Sequence, residues 1–357
     1  MMKQEIDRER YMNETFSKQA SKQASKQATT IDLLKFLFSI CIVGIHTKVL
    51  IETTDAVQWY VTHLLFRLGV PFFFCVSGYF LGCKLWKNAN CDEIFKSYRR
   101  RLIPPLLLWG GVGLIFYAIE LYARKVHFVG IVLRLVRMAI FYPQGAMWYV
   151  GACIIAAYLV QIFWKSKYRD RWLWGIGISG YVFALLANTY YFLIDDTFLG
   201  KGVSLYLKVC VSARNGIFVG LIFLWIGIML ARWSTNGKEV GNGIKIIFVI
   251  SFILYVIEIY YAFGKNVADD SALFVSHLVL IPSGILLALK YNIKNLPFSK
   301  ELRGMSTCIY FTHAFFNNLI GYFVSFGVMR FVMVICACVL VYFYQMKYKN
   351  KYLEKVL

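Results

Sequence analysis

Residues 31–50 read IDLLKFLFSICIVGIHTKVL. At 1.5 Å of rise per helical residue, an apolar run of this length matches the roughly 30 Å of hydrocarbon in a bilayer. Yet it carries Asp32, Lys35, Ser39 and His46. With 100° between successive residues, the four fall within an arc of about 60° on one helix face. Lipid against that stripe would cost several kcal/mol, so it is expected to face a bundle interior or a wet cavity. A snorkelling pair that ends the helix is an equal reading for Asp32 and Lys35. It does not reach His46, about 20 Å deeper. Histidine is also the side chain best suited to take and return a proton near neutral pH.

The rest of the chain repeats the pattern. Of its 357 residues, 59% are hydrophobic, 18% aromatic and 16% charged, against about 25% charged in a soluble domain. Membrane-length apolar runs fall at about 31–50, 59–82, 102–119, 147–164, 172–194, 214–231, 244–263, 273–289, 304–322 and 326–346. The expected fold class is therefore all-α, a polytopic helical membrane protein with about ten transmembrane helices around a polar pore. Alternating strands of about 10 residues are absent, which argues against an outer-membrane barrel. The expected organisation is a basic leader over 1–30, one membrane domain over 31–346 and a basic tail over 347–357. The leader contains SKQASKQASKQA at 17–28, a polar, basic repeat suited to a disordered segment near anionic headgroups.

The formal charge of +20 is distributed for a membrane rather than for nucleic acid. Lysine and arginine gather before the first span, in every second connection and in the tail. By the positive-inside rule this places both termini in the cytoplasm, in a multi-pass protein of the inner membrane with lipids as partners. One outer connection breaks the rule with Arg124, Lys125, Arg134 and Arg137, and its stretch IVLRLVRMAIFY (131–142) reads as an interfacial amphipathic helix. The nine cysteines form no CxxC pair and have no histidine at ligand spacing, so neither a metal nor a disulfide framework is expected.

Two further motifs carry chemistry. In the second span, WYVTHLLFRLGVPFFFCVSGYFLG (59–82), His63 and Arg67 share a face at i and i+4, and Ser77 and Gly78 permit close helix approach. An arginine at membrane depth calls for an anionic partner or ligand, with Glu52 and Asp55 as candidate partners. Before the third span, FKSYRRRLIPP (95–105) places two prolines where they would fix a helix start, with Arg99, Arg100 and Arg101 at its mouth. Those guanidiniums suit either anchoring or a phosphate-rich ligand.

Taken in order, Asp32 to His46, FFFCVSGYFLG (72–82), RRRLIP (99–104), MWYVGACI (147–154) and STCIYFTHAFF (306–316) resemble the acyltransferase-3 family of bacterial integral-membrane acyltransferases. The resemblance implies transfer of an acyl group, commonly acetyl, from cytoplasmic acyl-coenzyme A to a hydroxyl of an extracytoplasmic carbohydrate or lipid-linked glycan. It implies a catalytic His46, donor binding at Arg99, Arg100 and Arg101, and supporting roles for Trp148, Ser306, Tyr310 and His313. Two departures stand out: Lys35 where many members carry arginine, and Tyr98 at the first position of a common R-x-x-R pattern. No appended hydrolase-like or racemase domain is expected. His46 could serve as general base or as nucleophile, and Arg67 could stabilise an oxyanion or bind an anionic acceptor. The alternative is a transporter or exporter of a polysaccharide or small polar solute, for which intramembrane charge is also a mark, although no convincing internal repeat supports it.

Overall fold

Each of the ten expected spans holds a helix in the computed structural model, which describes residues 29–143, 145–235, 240–293, 296, 298–350, 353 and 356. The helices are α1 (Thr29–Thr47), α2 (Asp55–Leu64), α3 (Gly69–Leu85), α4 (Cys91–Ala123), α5 (Phe128–Phe141), α6 (Met147–Trp164) and α7 (Arg169–Leu186). They continue as α8 (Phe198–Cys210), α9 (Leu221–Thr235), α10 (Gly243–Ala262), α11 (His277–Lys290), α12 (Ser299–Ile320) and α13 (Val328–Tyr348). A 3-10 turn at Phe66–Leu68 joins α2 to α3, and a π-helical turn at Gly216–Gly220 leads into α9. No strand occurs among the described residues. Most of the leader, residues 1–28 with its repeat, lies outside them, as does part of the tail.

Among the described residues, seven segments are long and apolar enough to cross a bilayer: α1, α2 with α3, α4, α6, the π-turn with α9, α10 and α13. The three expected spans that fall short do so for different reasons. At 14 residues α11 rises only about 21 Å, and α7 opens on Arg169, Asp170 and Arg171. α12 carries Arg303, Ser306, Thr312, His313, Asn317 and Asn318, a polar content that fits its packing against α1 rather than lipid.

The prolines of the third span do not start its helix. α4 begins at Cys91, where the Asn90 side chain accepts from the Glu93 amide, and runs unbroken for 33 residues through Pro104 and Pro105. The two prolines remove the donors that would bond the Arg100 and Arg101 carbonyls. The three arginines therefore sit on the helix itself, one turn before the prolines.

The centre of the bundle is the crossing of α3 and α9. An added Cβ on Gly78 would lie 2.1 Å from the Leu224 carbonyl oxygen, and one on Gly227 2.0 Å from that of Cys75. Only hydrogen fits at either position, so the two backbones touch. Phe74, Tyr181, Phe223 and Trp225 fill the surrounding core, each with no exposed surface.

Candidate active site

α1 and α12 run side by side in one direction, clasped at two levels. Near their N-terminal ends the Arg303 guanidinium donates to both oxygens of Asp32 at 2.6 and 3.1 Å, and Lys35 stands 3.8 Å from the same carboxylate. Fourteen residues further along both helices, Asn317 donates from Nδ2 to the His46 carbonyl at 3.3 Å. The polar stripe of α1 is thus turned inward, with Asp32 and Ser39 each 1% exposed. Its members have separate occupations. Asp32 locks α1 to α12, Ser39 donates back to the Phe36 carbonyl of its own helix, and the Lys35 ammonium rests over the Phe80 ring. None of these three lines the cavity beside His46.

That cavity has a volume of about 270 Å³ and lies between α4, α12 and the segment before α6. His46 is half-buried in its wall, opposite Trp109, Val112 and Phe116 of α4 and beside Tyr142 and Asn317. The His46 ring also faces that of His313, with centroids 5.1 Å apart and planes at 46°. His313 is fixed by its own helix. Its Nδ1 lies 2.9 and 2.8 Å from the carbonyl oxygens of Ile309 and Tyr310, which must accept from it, so the proton sits on Nδ1 in the neutral ring. Nε2 is then a lone-pair acceptor, and it is buried with no partner among the described residues. Two imidazoles in contact, one in a fixed tautomer, can bind and relay a proton.

Tyr310 makes a different contribution. Its hydroxyl donates to the Ala146 carbonyl at 2.5 Å, which ties α12 to the start of α6 and seats Met147 and Trp148. Trp148 is almost buried and stacks on Tyr142 at 10° between planes. Over both rings lies the Arg214 guanidinium, 5.4 and 5.2 Å from their centroids.

Arg214 belongs to a charge box in the loops at this end of the bundle. It contacts Asp270 at 2.6 Å and Asp269 at 3.3 Å, while Arg67 donates to the Asp270 side chain at 2.7 Å and to its carbonyl at 3.0 Å. Asn188 adds a bond to Asp270 at 3.2 Å, and Ser212 one to Asp269. Burial works against ionising Asp270, but the Arg214 and Arg67 guanidiniums outweigh it and hold the carboxyl down at about 2. The loops that build the box hold left-handed backbone at Val211 (φ 69°), Asp269 (φ 55°) and Ser271 (φ 50°), a costly arrangement for a β-branched residue such as Val211. Arg67 has its anionic partner here, in neither Glu52 nor Asp55.

At the far end of α4, Arg99 donates to Gln161 at 2.6 Å, and Gln161 in turn donates to Asp92, which also takes Lys165 at 2.6 Å. Arg100 and Arg101 are exposed. Tyr98 is buried, its hydroxyl 2.7 Å from that of Ser77, so the residue at the first position of the R-x-x-R pattern packs α4 against α3.

A family profile described as "Acyltransferase domain", acyltransferase-3, matches residues 29–344. The chain belongs to the acyltransferase-3 family. It is a membrane-embedded, all-helical member. Among curated proteins, it is 28% identical to an amino-acid racemase of Enterococcus faecalis over 224 residues, 60% of this chain and 30% of that one. It is 25% identical to a serine/alanine racemase of Enterococcus gallinarum over 258 residues, 69% and 35% of the two chains. The chain thus spans about a third of the length of these relatives. No solved structure matches it.

Several residues of the site were not singled out in the sequence. Arg303, the cationic partner of the buried Asp32, stands in the sequence among other basic residues with no motif of its own. Tyr142, Arg214 and Asn317 carry no motif, and only the fold brings them beside His46. Among the described residues no group of three or more His, Cys, Asp or Glu is placed to hold a metal ion.

Proposed function

We propose that this acyltransferase moves an acyl group, acetyl in the simplest case, from cytoplasmic acyl-coenzyme A to a hydroxyl of an extracytoplasmic glycan or lipid-linked saccharide across the inner membrane. The observation that carries this reading is the cavity wall where His46 meets His313. His46 takes the proton from the acceptor hydroxyl as its oxygen attacks the thioester carbonyl. The new C–O bond forms, the C–S bond breaks, and the proton passes to the leaving thiolate. His313 stabilises the charged His46 ring through its unpartnered Nε2. Arg100 and Arg101, exposed on α4, take the phosphates of the donor, and Arg99 is steadied beside them by Gln161.

Arg67 is a positioning residue in this scheme. Both of its terminal nitrogens are bound to Asp270, and that commitment favours a structural role over contact with an oxyanion. The racemase names belong to proteins of which this chain matches about a third, and racemisation is not carried over to it. The test is mass spectrometry of surface glycans and lipid-linked saccharides from producing cells with and without the gene. An acyl mass increment present only with the gene supports the reading, and identical profiles contradict it.

A further inference from the structure

Two helices outside the spanning set converge on the cavity. α5 and α8 lie against each other, and Arg137 of α5 donates to the Leu207 and Val209 carbonyls at the end of α8, at 3.3 and 3.0 Å. The Leu207 carbonyl also accepts from the Val211 amide at 3.0 Å, so the guanidinium adds a second donor at the C-terminal end of α8 and ties that end to α5. The next residue after α5 is Tyr142, which lines the His46 cavity. Four residues after α8 comes Arg214, which lies over Tyr142. Both helices therefore end at one contact on the cavity wall.

Both are amphipathic and largely unpacked. On α5, Phe128, Val129, Val132, Leu133, Val136 and Ile140 are exposed and cover an arc of about 140°, with Arg137 about 40° past its edge and Arg134 opposite, next to the exposed Phe141. No residue of α5 is fully buried. On α8, Phe198 is 92% exposed and shares a face with Leu205 and Val209, while exposed Lys201 and Lys208 lie together along one edge, within about 20° of each other. Neither helix contains an acidic residue. An apolar face edged only by cations fits the acyl and headgroup layers of an acidic lipid, which presents hydrocarbon below and phosphate above.

A lipid-facing helix also borders the cavity. Its wall opposite His46 is α4, whose membrane-length stretch is only 11% buried and so faces lipid along most of its surface.

We propose that α5 and α8 form a shelf at the membrane interface that binds the phosphate headgroup of an acidic lipid through Arg134, Lys201 and Lys208, and that the acceptor hydroxyl reaches His46 on such a lipid, entering sideways beside Tyr142. The second half of this rests on the acyl-transfer reading; the first does not. A soluble saccharide would gain nothing from the shelf. A phosphate-bearing amphiphile is concentrated on it.

The experiment uses the full chain in nanodiscs of phosphatidylcholine with and without phosphatidylglycerol. Wild type is compared with the triple variant Arg134→Gln, Lys201→Gln, Lys208→Gln and with the charge-preserving triple Arg134→Lys, Lys201→Arg, Lys208→Arg. Native mass spectrometry counts retained phosphatidylglycerol, and radiolabel from acetyl-coenzyme A is followed into a lipid extract of producing cells. Retention should fall by about fivefold for each charge removed, label in the lipid phase should fall with it, and the charge-preserving triple should match wild type. Wild-type retention of phosphatidylglycerol by the glutamine triple would overturn the shelf. Full retention loss without loss of lipid labelling would overturn lateral delivery alone, and absence of any labelling by wild type would count against acyl transfer while leaving the retention result to judge the shelf.

Discussion

Arg303 and Asp32 meet through contacts of 2.6 to 3.1 Å at the N-terminal ends of α12 and α1, around a carboxylate that is 1% exposed. The same two helices meet again at His46 and Asn317, fourteen residues on. The charge pair therefore sets the register in which His46 is delivered to the cavity.

Breaking the pair should be costly. Arg303→Met leaves Asp32 buried with Lys35 still 3.8 Å away, and because the Arg303 side chain is itself 39% exposed, the loss should fall below the roughly 3–5 kcal/mol of breaking a fully buried ion pair. The unfolding midpoint of the detergent-solubilised protein should drop clearly, and Asp32→Asn with Arg303→Met should recover part of the loss. A single variant as stable as wild type would show that the pair does not hold the helices.

The α3–α9 crossing makes a paired prediction with opposite signs. Gly227→Ala puts a methyl 2.0 Å from the Cys75 carbonyl oxygen, so the helices must part, at about 1–3 kcal/mol or more. Gly110→Ala on α4 meets nothing within 4 Å and removes a helix penalty of about 1 kcal/mol. Thermal unfolding of the two variants should shift down and up respectively.

Acid should open the charge box. Asp270 has its folded pKa depressed from 3.8 to about 2, so its contribution is complete above about pH 4 and is lost as pH falls through 2. The gap in unfolding midpoint between wild type and Asp270→Asn should accordingly be widest above pH 4 and close toward pH 2. A gap that stays constant over that range would contradict the coupling to Arg214 and Arg67.

The helical class was legible because membrane-length apolar runs are a strong signal, although among the described residues only seven segments, rather than the expected ten, are long and apolar enough to cross. The inward stripe on α1 followed from its 100° spacing. Long-range pairings were not legible in the same way. Nothing local distinguishes Arg303 from its basic neighbours Lys300 and Lys294, and only folding places it on Asp32. Arg67 required an anion, but the partner came from a loop more than 200 residues away rather than from the adjacent Glu52 or Asp55. At Pro104 and Pro105 two local rules competed. The proline rule favoured a helix start, whereas Asn90 with Asp92 and Glu93 already spelled an earlier one. The cap won because α4 tolerates the two lost donors within a long helix. The basic stretch 131–142 read correctly as helical, and its partner α8 escaped notice because it is shorter and lies between two expected spans.

The donor end separates the three arginines. Arg100→Gln and Arg101→Gln, both at exposed positions, should each weaken coenzyme A binding by about tenfold in low salt, with the difference shrinking as salt rises. Isothermal titration in detergent reads this directly, and unchanged affinity in both variants would move the donor site elsewhere.

The most direct measurement is acyl transfer by purified His46→Gln, with coenzyme A affinity and the unfolding midpoint recorded on the same preparation. Transfer should fall by about 10²–10⁴-fold while affinity and midpoint stay at wild-type values. Transfer within a few-fold of wild type would contradict a catalytic His46 and with it the proposed chemistry of the cavity.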